Sequence, residues 1–102
     1  MLFRSYGNLG NVFLSLGQYD EAREHFQEAL AITTEIGDKA GEAADLSNLG
    51  SLSLTVGDYE ASKVWLEKAL FISRDIGDRG REFEILKDYA LLYLCQIGRA
   101  HV

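Results

Sequence analysis

The sequence predicts an all-α fold, an α-α superhelix of about two and a half stacked pairs of antiparallel helices. Three observations lead there. Shifted by 40 residues, "GQYDEAREHFQEALAITTEIGDKAGEAADLSNLG" lies over "GDYEASKVWLEKALFISRDIGDRGREFEILKDYA". The shift matches Gly17 with Gly57, Tyr19 with Tyr59, Ile36-Gly37-Asp38 with Ile76-Gly77-Asp78, and Asn8-Leu9-Gly10 with Asn48-Leu49-Gly50. A period of this size marks stacked supersecondary units whose end members are atypical. Second, the chain has no proline, and its glycines fall where helix C-termini are expected. Third, apolar residues between those glycines recur at steps of three and four, the spacing of one helical face.

The elements follow in order. A first helix over roughly 2–16 stops at Gly17. A second, 20–36, starts at the candidate N-cap Asp20 and stops at Gly37; Ala22, Phe26, Ala29, Leu30 and Ile36 form its apolar face, and Glu21, Glu24, Glu28 and Glu35 form a solvated stripe. Asp38 caps a third helix, 39–56, which Gly57 ends; Asp58 caps a fourth, 59–76, which Gly77 ends; Asp78 caps a fifth, 79–95. Gly10 and Gly50 allow close helix approach toward Ala22, Ala29 and Ala69, with Phe26 and Leu66 as the knobs beside them. Ser62, where a small apolar residue is expected, can bond a carbonyl one turn earlier in its own helix.

The repeats divide as 1–37, 38–77 and a partial 78–95. By the period Met1 aligns with Gly41, inside the expected first helix, and the third repeat lacks its second helix, so the sequence reads as a fragment of a longer protein. Residues 96–102, "QIGRAHV", leave the repeat abruptly: the period places glycine at 97 and tyrosine at 99. Their codons can be CAG ATC GGA AGA GCA CAC GTC, which resembles the start of a common short-read sequencing adapter. The expectation is an adapter-derived, non-native tail, with no role for Arg99 or His101. Exposed apolar surface at the ends of the stack predicts self-association.

Composition excludes several function classes. A net charge of −6 argues against binding a nucleic-acid backbone or an anionic membrane, since both call for clustered Lys and Arg. No run of 18 apolar residues or secretory signal is visible, and the single Cys95 forms no internal disulfide, so a cytoplasmic segment is expected. Neither zinc-type spacing nor a paired acid and base stands out, and no cofactor or catalytic role is assigned. His25 shares its register with Trp65 and reads as a packing residue; Cys95, on the apolar side of the last helix, reads as a buried structural thiol.

At "YGNLGNVF…GQYDEAREHFQEAL" the sequence resembles a tetratricopeptide repeat, whose pattern is an aromatic, x2, L-G, x2, an aromatic, then A-x3-F-x2-A. Tyr6, Leu9, Gly10, Phe13, Gly17, Tyr19, Ala22, Phe26 and Ala29 fill it in the first repeat; Leu46, Leu49, Gly50, Gly57, Tyr59, Leu66 and Ala69 fill it in the second, with departures at Ser53 and Ser62. Leu86, Tyr89, Ala90 and Tyr93 begin a third. The usual unit has about 34 residues and a closing proline; here the unit is longer, with Thr34 and Arg74 at the proline's place. In period and in the "EIGD" connector the chain is similar to the long-repeat adaptors of the Pins/LGN type.

The resemblance implies a right-handed superhelix whose first helices line a concave groove for extended peptides or partner helices. Carried over by position, the groove residues are Arg4, Gly7, Asn8, Asn11, Leu14 and Ser15; then Ala44, Ser47, Asn48, Ser51, Leu54 and Thr55; then Glu84, Lys87, Asp88, Leu91 and Leu94. Asn8 and Asn48 suit a backbone grip because a carboxamide both donates and accepts, although each could equally satisfy a neighbouring helix. Asn11 and Asn48 fit the carboxylate clamp of chaperone-tail receptors, but Gly7, Glu84 and Asp88 stand where that clamp needs cations, so an acidic tail is not the expected ligand. The expected function is a protein-interaction scaffold or adaptor, and the expected partner a protein or peptide. The alternative is a set of sensor repeats that read a peptide or small effector and control an attached output domain.

Overall fold

A computed structural model describes residues 17–100, with side chains to 97. The expected helix at 2–16, with Gly10, lies outside the described residues. Four helices follow in order: α1 (Tyr19–Ile36), α2 (Lys39–Thr55), α3 (Tyr59–Asp75) and α4 (Arg79–Ala100). Each packs on the next, and α4 also reaches back to α2. The described residues thus form an all-α helical repeat.

The turns show why the period is so regular. Gly37, Gly57 and Gly77 have φ of 74°, 86° and 74°, the left-handed conformation that a Cβ disfavours. At each, the glycine N–H and the following aspartate N–H donate back into the last turn: Gly37 to Thr34 O and Asp38 to Thr33 O, Gly57 to Leu54 O and Asp58 to Ser53 O, Gly77 to Arg74 O and Asp78 to Ser73 O. This satisfies carbonyls that the helix end leaves open. The same aspartate then opens the next helix. Asp38 Oδ1 accepts from Gly41 N at 3.0 Å, Asp58 Oδ1 from Ala61 N at 3.2 Å and Asp78 Oδ1 from Arg81 N at 3.0 Å. One Gly-Asp pair therefore closes one helix and starts another with no loop between.

Asp20 does not share this role. The N-cap of α1 is Gln18, which makes no side-chain cap bond, and Asp20 lies in the first turn, where it pairs with Arg23 at 3.5 Å. Gln18 is the 40-residue counterpart of Asp58, so the cap position in α1 carries a carboxamide instead of a carboxylate.

Two overlapping clusters make the core. Ala22, Phe26, Leu49 and Leu52 join α1 to α2, and Leu46, Leu66, Ala69, Ile85 and Leu92 join α2, α3 and α4, with Leu30 and Trp65 against both. Phe26 and Leu66 are fully buried. A Cβ at Gly50 would sit 2.6 Å from Leu66 Cδ2, so the bare backbone there is what lets α3 lie on α2. Ser62 is buried beside it, but its hydroxyl donates to Gly50 O at 2.8 Å on the neighbouring helix, not to a carbonyl of its own helix. The glycine brings that carbonyl within reach.

Three other expectations change. Ile36, the last residue of α1, is 58% exposed, because the turn at Gly37 carries it past the α1–α2 contact. Cys95 is exposed: its counterpart Thr55 is the last, exposed residue of α2, and the contact stripe of α4 runs through Ile85, Tyr89 and Leu92 instead. Finally, α4 does not stop at 95 but continues to Ala100. Ile97 stands where the period puts the left-handed glycine, so the stop used by the earlier helices is missing.

Candidate protein-binding surface

The expected groove residues that fall in the described region lie on α2 and α4, the first helices of successive repeats. On α2, Ala44 and Asn48 are half-buried and Thr55 is exposed, while Ser47 is buried and offers little surface. On α4, Glu84 and Lys87 are exposed and form an ion pair at 3.6 Å, with the Lys87 ammonium 5.6 Å from the centre of the Phe83 ring. Ser51 and Asp88 are brought together: Ser51 Oγ donates to Asp88 Oδ2 at 2.7 Å, a charge-assisted bond that ties α2 to α4 across this face. Thr55 Oγ1 donates to the Ser51 carbonyl at 3.0 Å. Leu54 is half-buried and Leu91 and Leu94 are exposed. Arg4, Asn8, Asn11 and Ser15 lie outside the described residues.

A polar pair that sequence reasoning missed lies between α1 and α2. Asp45 is only 7% exposed, and its Oδ2 is 3.0 Å from Thr33 Oγ1, which is also 3.1 Å from the Leu30 carbonyl. Thr33 has one proton for two acceptors. Burial, countered in part by the Thr33 hydrogen bond, raises the Asp45 pKa from 3.8 to about 6; Asp38 adds to the rise and Arg81 opposes it. A protonated Asp45 can donate to Thr33 and leave the threonine proton for Leu30. Sequence gave one signal: Asp45 shares its register with Ile85, a core residue.

A recess of about 460 Å³ opens between α1 and α3, lined by Leu30, Thr34, Glu42, Leu46, Trp65, Glu67, Lys68, Phe71 and Ile72. Its α2 residues, Glu42 and Leu46, lie roughly 140–180° round the helix from Ser51, on the other side from the α2–α4 face. The Lys68 ammonium stands 5.5 Å from the centre of the Trp65 ring. Among the described residues no cluster of His, Cys, Asp and Glu could hold a metal, and no helix is long and apolar enough to cross a membrane.

The family model for the tetratricopeptide repeat matches residues 1–75. The chain belongs to the tetratricopeptide repeat family. Comparison with curated proteins returns no match. Tetratricopeptide repeats mediate protein–protein interaction and are typically non-enzymatic. In the second repeat five of the seven signature residues go into packing: Leu46, Leu49, Gly50, Leu66 and Ala69 are all buried, while Gly57 forms the turn and Tyr59 is half-buried. Tetratricopeptide signatures therefore account for the fold of this chain but not for its ligand.

Proposed function

We propose that this chain is a protein-interaction scaffold that holds an extended peptide or partner helix along the face shared by α2 and α4. The observation that supports this reading is the Ser51–Asp88 bond, which ties α2 to α4; by helical spacing Ala44, Asn48 and Thr55 share the face of Ser51, and Glu84 and Lys87 lie within about one turn of Asp88. A half-buried carboxamide at Asn48 suits a peptide backbone, and the exposed Glu84–Lys87 pair suits polar side chains. Arg4, Asn8, Asn11 and Ser15, outside the described residues, are proposed as groove residues by their positions in the repeat pattern alone. Its 40-residue period and "EIGD" connector favour the long-repeat adaptor class similar to Pins/LGN.

Binding by such a strip comes from many modest contacts, so two repeats bind weakly. The test is selection of peptide binders on the chain, followed by titration of Asn48→Ala and Lys87→Ala against each one found. Several-fold weaker binding by Asn48→Ala is expected; unchanged affinity for every binder would reject the asparagine grip.

A further inference from the structure

We infer that the recess between α1 and α3 is a second protein-docking site, and that its occupant is a partner segment presenting an arginine beside an apolar side chain. The chain itself supplies the comparison. At the second junction, Glu82 receives a hydrogen bond from Arg74 Nε at 2.9 Å. One period earlier the same two positions hold Glu42 and Thr34, and both line the recess. Glu42 is thus a carboxylate in a place that binds a guanidinium, without the guanidinium. Its side chain is only 15% exposed, its Oε1 accepts no hydrogen bond, and its cation neighbour is Lys39 Nζ at 3.5 Å. A partner arginine can give Glu42 what Arg74 gives Glu82.

The rest of the recess fits the apolar half of such a segment. Leu30, Leu46, Trp65, Phe71 and Ile72 line it, and Phe71 is 75% exposed. The volume suits a large side chain with a few placed polar groups. Glu67 adds a second carboxylate at the wall, and the lining ammonium, Lys68, stands at the Trp65 ring, which marks that ring as a face that accepts cations. A chain of net charge −6 also attracts a basic partner. This site is on the opposite side of α2 from the proposed groove and stands independently of it.

Trp65, the only tryptophan, reports on the site directly. The probe is a pair of labelled amphipathic peptides with identical leucines, one carrying arginine at the flanking positions and one carrying glutamate. The arginine peptide should change Trp65 emission and bind at least tenfold more tightly than the glutamate peptide. Glu42→Gln and Phe71→Ala should each weaken it about tenfold, and Thr34→Arg, which supplies the guanidinium from within, should do the same by competition. Thr34 and Phe71 are exposed, so these two variants test the site without disturbing the core. Asn48→Ala should have no effect. Equal binding of both peptides, binding of neither up to about 1 mM, or loss with Asn48→Ala but not with Glu42→Gln would overturn the inference. So would a Trp65 change that follows protein concentration without peptide, which would mean that a second copy fills the recess.

Discussion

The α1–α2 and α3–α4 hairpins are register copies 40 residues apart, and their interiors use different chemistry. In the first, the hydroxyl of Thr33 meets the buried carboxylate of Asp45. In the second, the same positions hold Ser73 and Ile85: both are fully buried, Ile85 lies in the apolar core cluster, and Ser73 Oγ has no hydrogen-bond partner. The outsides differ as well. Ala43, Leu46 and Ser53 of α2 are buried, whereas their counterparts Phe83, Leu86 and Tyr93 of α4 are exposed. One repeat geometry thus accommodates different residue pairs at this seam, because the same Gly-Asp turn closes both hairpins, at Gly37-Asp38 and at Gly77-Asp78.

The largest effect should come from the contact that joins the two hairpins. Leu66→Ala removes the knob that α3 sets against Gly50 and should cost about 2–5 kcal/mol in urea unfolding; a cost below about 1 kcal/mol would mean that α3 is not seated as described. Next is Asp45. Its folded pKa of about 6 lies above the unfolded 3.8, so the fold favours the neutral acid. That contribution is complete below pH 3.8 and is lost as pH rises through about 6, a change of roughly 3 kcal/mol at 1.4 kcal/mol per pKa unit. Asp45→Asn should therefore raise stability at pH 7 and flatten the dependence between pH 4 and 6 relative to the parent chain. A parent and variant that stay parallel across that range would contradict the buried-acid reading.

Smaller changes sharpen the contrast between the seams. Thr33→Val takes the donor from Asp45 and should cost about 1–3 kcal/mol, while Ser73→Ala removes an orphan hydroxyl and should be neutral or stabilising by about 1 kcal/mol. Equal losses at both sites would show that the two seams are alike. The smallest effect on stability is expected at the exposed face of α4, where Leu94→Glu should shift unfolding by less than about 0.5 kcal/mol. The same variant should reduce self-association measured by sedimentation velocity, since Leu91, Tyr93 and Leu94 are 52%, 64% and 63% exposed on that helix.

Helix ends were legible because the turn chemistry is local: a glycine that needs positive φ and an aspartate that caps are visible as letters, and Gly37, Gly57, Gly77, Asp38, Asp58 and Asp78 act as their positions predict. Contacts between helices were less legible. A serine in sequence does not say which carbonyl it will meet, and Ser62 meets that of Gly50 across the helix pair. Asp45 resembles any solvated carboxylate until α1 covers it, and the recess draws residues from three helices with no shared motif. Within the proposed groove, the positions on α2 and α4 could be carried over, but the pairing of Ser51 with Asp88 depends on the spacing between repeats, which no single helix encodes.

The most direct test of the scaffold reading is backbone-amide chemical-shift mapping of the chain as a peptide selected on it is titrated in. The account predicts shifts concentrated at Ala44, Asn48, Ser51, Thr55, Glu84 and Lys87, diminished in Asn48→Ala. Shifts that avoid α2 and α4 for every selected peptide would contradict it.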